Sequence, residues 1–138
     1  MLMALVAFGQ NKKLKRIEYP GLVTFVDDRG NVVETQTVDD KGNLINNELG
    51  FAVTKCKFDK RGNKLRQSYY DQNGKLSLDN LGVAIWKFKY DSNNNKIYQG
   101  HFGLNGKLRS PNGSILHSEW FWKYDKEGKL LSVKGKNK

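Results

Sequence analysis

The chain has 138 residues, a length that suits a single domain with its own core. Fourteen glycines and two prolines favour a turn-rich β protein, and the net charge of +10 favours acidic partners over basic ones. The lysines are spread along the chain without a run of five like charges, which argues against a dedicated nucleic-acid tail. Because Cys56 is the only cysteine, an intrachain disulfide and a cysteine-based metal site are excluded.

The amino-terminal segment begins with an apolar run that is too short to span a bilayer. Ala7 and Gly9 stand at the −3 and −1 positions of a small-residue cleavage site, and a basic stretch follows. We therefore expect residues 1–9 to be the remainder of a secretory signal peptide, with residues 10–138 forming one exported β-repeat domain. An amphipathic first strand, or a start site placed too late, would give the same pattern.

The remainder of the chain repeats itself about every 32 residues. Gly42, Gly74 and Gly106 are separated by 32 positions each, and the same step separates aspartates that precede other glycines. A fixed period of this size is typical of a tandem repeat architecture. The predicted units are residues 19–49, 50–81, 82–113 and 114–138.

The repeated phrase Asp-x-x-Gly, or Asp-x-x-Asn, predicts tight turns. The aspartate can accept hydrogen bonds from the backbone ahead of it, and glycine or asparagine can adopt the positive φ that closes the turn. A type I turn followed by such a residue commonly joins antiparallel strands. The predicted turn residues are Gly30, Gly42, Gly62, Gly74, Asn94, Gly106 and Gly128.

The segments between these turns alternate with period two, which predicts strands. In the segment that begins at Ala84, Trp86 lies on one face while Lys87 and Lys89 lie on the other. Each unit is thus predicted to form a β-hairpin followed by a short third segment. The whole chain is predicted to be all-β, with tandem antiparallel hairpins in one elongated, twisted sheet. We expect the aromatic residues to stack from unit to unit and form the core, with Cys56 as a small core residue.

The tyrosine-aspartate phrases that begin at Tyr70, Tyr90 and Tyr124 resemble the YD repeats of Rhs-type proteins. The wider unit is similar to bacterial exported β-hairpin repeat arrays and, more loosely, to MORN repeats, over about residues 19–134. The resemblance implies an exported, non-catalytic module that serves as a scaffold or binding surface. It supplies no catalytic residue.

Residue types that carry catalysis or hold cofactors are sparse. His101 and His117 lack a metal-ligand spacing, and the glycines are distributed singly instead of forming a phosphate-binding loop. Most acidic residues occupy predicted turn positions. We therefore expect neither an enzyme nor a metal or cofactor site.

Two sets of side chains are candidates for binding a partner. Flat rings on one face of the sheet can stack on sugars or bases, and lysines on the other face can hold a polyanion. Phe121 falls among the lysines, where it marks a contact site or the place where a cap folds over. The aromatic face comprises Trp86, Tyr90, Trp120, Trp122 and Tyr124, and the lysine face comprises Lys55, Lys57, Lys87, Lys89 and Lys123.

The leading hypothesis is a non-catalytic exported module that binds a protein or a cell-envelope glycan. One alternative is an immunity- or antitoxin-like protein whose basic face masks an acidic effector, and another is a polyanion-binding protein. Self-association through a sheet edge or through the aromatic face is a further expectation.

Overall fold

The computed structural model describes residues 13–111 and 117–137, and all of the regular secondary structure there is β. The predicted all-β fold of antiparallel hairpins is confirmed. The expected signal-peptide remnant, residues 1–9, lies outside the described residues. The strands are β1 (Lys15–Tyr19), β2 (Leu22–Val26), β3 (Val32–Thr37), β4 (Val53–Phe58), β5 (Lys64–Tyr70), β6 (Leu76–Ser77), β7 (Ile85–Tyr90), β8 (Lys96–Phe102), β9 (Glu119–Tyr124) and β10 (Leu130–Lys136).

The ten strands form one open sheet in which neighbours follow the order of the chain. All pairs are antiparallel, and only the two-residue strand β6 leaves the path, by pairing with β5. The strands β1 and β10 form the two edges. Within the described ranges, no helix is long and apolar enough to cross a membrane.

Nine turns share one backbone pattern. In the turn that begins at Asp59, the N–H of Gly62 donates to the Asp59 carbonyl at 3.1 Å, and the Asp59 N–H donates to the Asn63 carbonyl at 2.9 Å. The carboxylate of Asp59 also accepts the N–H groups of Arg61 and Asn63, each at 2.9 Å. The residues that close these turns have φ between 65° and 91°, and they are Gly30, Gly42, Gly50, Gly62, Gly74, Gly82, Asn94, Gly106 and Gly128.

The hairpin tips contact one another across successive units. Arg61 donates from Nη1 to the carbonyl of Ser92 at 2.8 Å, and Arg29, 32 positions earlier, makes the corresponding contact to the carbonyl of Lys60. Asn63 and Asn94 are also joined by a side-chain hydrogen bond of 2.8 Å. These contacts hold successive hairpins in register at one end of their strands.

The buried residues lie at the other ends of the strands, where the connections between hairpins pack. Val38, Ala52, Val53 and the segment 83–85 are buried there, and the rings of Phe51 and Tyr69 lie 4.8 Å apart. The aromatic face and Cys56 are only half-buried, so the expectation that they form the core is wrong. The physical reason is that a single sheet, in the part of the chain described, has no second layer to cover its faces.

Candidate binding faces

Strand register places the two candidate sets of side chains on opposite faces of the sheet. Trp86 pairs with Gln67 on one side and His101 on the other, whereas Lys87 pairs with Arg66. Because alternate residues of a strand point to opposite faces, the register extends this division to every strand. Trp86, Tyr90, Trp120, Trp122 and Tyr124 lie on the aromatic face, and Lys55, Lys57, Lys87, Lys89 and Lys123, together with Phe121, lie on the lysine face.

A row of three cations crosses the lysine face. Lys57 of β4, Arg66 of β5 and Lys87 of β7 are consecutive cross-strand partners. Adjacent strands lie about 4.8 Å apart, and like charges placed directly opposite destabilise a sheet. None of the three forms an ion pair with a carboxylate of the described residues. The row is therefore a concentration of positive charge that the fold itself does not neutralise.

Aromatic rings support several of the lysines on this face. The ammonium of Lys55 lies 5.0 Å from the ring centre of Tyr70, and that of Lys87 lies 4.5 Å from the ring centre of Phe102. Such contacts are attractive, and they hold long side chains that would otherwise be free. A lysine side chain held against a ring loses less conformational entropy when a partner binds than a free one does.

Phe121 belongs to a packed cluster on the lysine face. Its ring centre lies 5.3 Å from that of Tyr98, whose hydroxyl donates to Glu119 Oε1 at 2.9 Å. Burial, reinforced by this hydrogen bond and the Glu119 charge, raises the pKa of Tyr98 to about 12. Glu119 is the cross-strand partner of Gly100, which in turn pairs with Lys87, so the cation row ends at an acidic side chain on β9. Phe121 packs beside this end of the row and has a structural role there.

His101 belongs to a hydrogen-bonded chain on the aromatic face. Lys96 donates to Gln99 at 2.8 Å, Gln99 donates to His101 Nε2 at 2.9 Å, and His101 Nδ1 donates to the carbonyl of His117 at 2.9 Å. Burial lowers the pKa of His101 below its ordinary value. With both ring nitrogens occupied, His101 has no free position for a ligand.

The tryptophans of the aromatic face contact their own chain. Trp86 donates its indole N–H to Asp79 Oδ2 at 2.8 Å and packs against the ring of His101. Trp120 and Trp122 stack with ring centres 6.3 Å apart, and the ammonium of Lys96 lies 4.6 Å from the ring centre of Trp122. Much of the ring surface is thereby used within the sheet, which leaves the lysine face as the stronger candidate.

Groups suited to nucleophilic or metal chemistry are not gathered in the described ranges. No three of their His, Cys, Asp and Glu side chains form a cluster that could hold a metal ion. Burial raises the pKa of the Cys56 thiol, which donates to Gln67 Oε1 at 3.7 Å. A thiol with a raised pKa is a poor nucleophile at neutral pH.

Two of the hollows in the surface are lined by several charged side chains. A hollow of about 220 Å³ on the lysine face is lined by Lys55, Lys57, Arg66 and two hydroxyl-bearing residues of β5. A wider cleft of about 670 Å³ lies beside the first hairpin, where residues such as Arg16 mix both signs of charge. Of these two hollows, only the smaller is lined by charged side chains of a single sign, which is positive.

The sequence pattern missed several residues of the lysine face. Arg66, Tyr70 and Phe102 reach this face through the register of the returning strands, which turn spacing alone does not specify. Gly50 and Gly82 close turns of the common pattern, and the phrases Asn-x-x-Gly and Asp-x-x-Gly before them were the available signal.

No family model matches the chain, and no curated protein matches it significantly. A functional assignment for this chain therefore depends on the geometry of its two faces.

Proposed function

We propose that the chain is a non-catalytic, exported β-repeat module that binds an acidic polymer of the cell envelope along its lysine face. The supporting observation is the row of Lys57, Arg66 and Lys87, which are cross-strand neighbours without a paired carboxylate in the described chain. Such a row destabilises the isolated sheet, and an acidic partner removes the repulsion.

The shape of the face favours an extended partner over a small molecule. Small-molecule sites are concave and enclose most of the ligand, whereas this face belongs to an open sheet. Cations project from β4, β5 and β7, and Lys123 adds one from β9, so a chain that crosses the strands meets several in succession. The net charge of +10 would attract such a polymer over a distance.

The test is a titration of the full chain with a single-stranded oligonucleotide, used as a polyanion probe of known charge spacing. If five cations contact the probe, the logarithm of the affinity should fall with the logarithm of the salt concentration at a slope of about −3.5. Between 50 and 200 mM salt this slope corresponds to a loss of about 100-fold in affinity. An acidic polysaccharide and polyglutamate, titrated in parallel, show whether the binding extends to envelope polymers.

The decisive comparison uses two triple variants that remove the same charge. Replacing Lys57, Arg66 and Lys87 with glutamine should reduce the steepness of the slope by about 2. The control replaces three exposed turn lysines, Lys60, Lys75 and Lys126, with glutamine and should change the slope by much less. If the two triple variants changed the slope equally, binding would depend only on net charge, and the proposal would fail. Binding to an acidic protein without binding to any polymer would also overturn it, in favour of the immunity-like alternative.

A further inference from the structure

The 220 Å³ hollow on the lysine face is built from two neighbouring strands. Lys55 pairs with Ser68 across β4 and β5, and Lys57 pairs with Arg66. Tyr70 follows Ser68 by two positions and therefore points to the same face. Every side chain of this face that lines the hollow can donate a hydrogen bond, and three of them are cations.

The inner wall of the hollow carries a hydroxyl pair with a donor to spare. Ser68 is 3% exposed, and its Oγ donates to Tyr70 Oη at 3.3 Å. The hydroxyl proton of Tyr70 then has no acceptor among the described residues. Tyr70 is half-buried, so its hydroxyl can donate to solvent, and an anion in the hollow would replace the solvent as its acceptor.

No acidic side chain lines the hollow. Glu34 is the cross-strand partner of Lys55 on β3, but its Oε1 accepts a hydrogen bond from Gln36 Nε2 at 2.7 Å. Lys55 instead lies over the ring of Tyr70, at the border of the hollow. The side chains that line the hollow therefore carry only positive charge, and Glu34 lies beside Lys55 outside it.

The next unit does not reproduce this arrangement. The positions 32 residues after Arg66, Ser68 and Tyr70 are occupied by Tyr98, Gly100 and Phe102. The same backbone positions thus lose the guanidinium and both donors of the inner wall. The third unit forms the same hairpin without these donors, so they are not needed to build the hairpin. The hollow is therefore a feature of the second unit.

The geometry points to a site for one tetrahedral oxyanion, a phosphate or sulfate group, in the hollow between β4 and β5. The inference rests on the proposed function and narrows the acidic partner to polymers that carry such groups. A phosphate ester has three strong acceptor oxygens, whereas a carboxylate has two. The fork of Arg66 can engage two oxygens, and the lysines and the Tyr70 hydroxyl can engage the third.

The experiment follows the backbone amide resonances of the full chain during titration with inorganic phosphate, sulfate and acetate. Phosphate and sulfate should shift the resonances of the hollow and bind at least 10-fold more tightly than acetate. Tyr70→Phe keeps the ring beneath Lys55 and removes only the hydroxyl, so it should weaken phosphate binding about 5-fold. Arg66→Lys keeps the charge and removes the fork, with a similar effect. Tyr124→Phe, on the aromatic face, is the matched control and should leave phosphate binding unchanged.

A second arm separates this inference from the proposed function. The full chain should bind polyphosphate more tightly than polyglutamate at equal charge and salt, and Tyr70→Phe should narrow that difference. If acetate binds as tightly as phosphate, or if Tyr70→Phe has no effect, the oxyanion site is refuted while polymer binding by the lysine face stands. If the chain binds neither polymer, the proposed function itself fails.

Discussion

Replacing Asp79 with alanine should destabilise the protein more than the same change at Asp71. The two aspartates begin consecutive turns of identical backbone pattern, and each carboxylate Oδ1 accepts two backbone N–H groups at 2.8–3.0 Å. Only Asp79 uses its second oxygen, Oδ2, to accept the indole N–H of Trp86, at 2.8 Å. Asp71 therefore serves as a control for the turn itself.

The expected difference follows mainly from the contact between Asp79 and the Trp86 indole. Loss of a side chain that accepts backbone N–H groups costs about 1–2 kcal/mol at helix caps, and we expect a similar cost at both turns. A hydrogen bond to a charged group contributes a further 1.5–3 kcal/mol, roughly. The free energy of unfolding should then fall by about 1–2 kcal/mol for Asp71→Ala and about 2.5–5 kcal/mol for Asp79→Ala.

Urea denaturation followed by tryptophan fluorescence measures both variants. A double-mutant cycle that combines Asp79→Ala with Trp86→Phe isolates the indole contact and should give a coupling of about 1.5–3 kcal/mol. Equal losses for Asp71→Ala and Asp79→Ala, or a coupling near zero, would refute the view that Asp79 anchors Trp86 to the sheet.

Three further predictions concern stability. Because burial lowers the pKa of His101 below 6.5, the unfolded chain binds a proton at this residue more readily than the folded chain does. The free energy of unfolding should therefore decrease from pH 7.5 to pH 5.5, and a constant urea midpoint over this range would contradict the prediction. Gly100→Ala places a Cβ 2.9 Å from a ring carbon of Phe102 and against Tyr98, so it should lower the free energy of unfolding by about 1–3 kcal/mol, measured by thermal unfolding. Gly103→Ala should lower it by less, because the nearest atom to the added Cβ is 3.4 Å away. Asn94 has φ of 65°, so Asn94→Val should lower the melting temperature more than Asn94→Gly, although both variants lose the hydrogen bond from Asn63. Equal shifts would be inconsistent with a strained backbone.

The hairpins and their turns were predictable because their chemistry is local. An aspartate such as Asp59 contacts backbone groups no more than four residues away, so the phrase that encodes the turn contains nearly all of its interactions. The division into two faces was also predictable, since period-two alternation within a strand needs no partner. Trp86 and Lys87 are adjacent in one strand and lie on opposite faces, as this alternation predicts.

The core and the candidate site depended on longer-range arrangement. The small residues around Ala84 are buried because the connection between hairpins packs against the strand ends, which the period of the sequence does not reveal. Arg66 joins Lys57 and Lys87 through register alone. A shift of one residue would have placed Arg66 on the aromatic face.

Short-range chemistry in the sequence thus determines where this chain bends and which way each side chain points along a strand, because both depend on neighbours a few residues apart. The alignment of one hairpin against the next is a property of the assembled sheet. It decides which groups are buried and places three cations in one row, because pairing between strands joins residues that are distant in the chain.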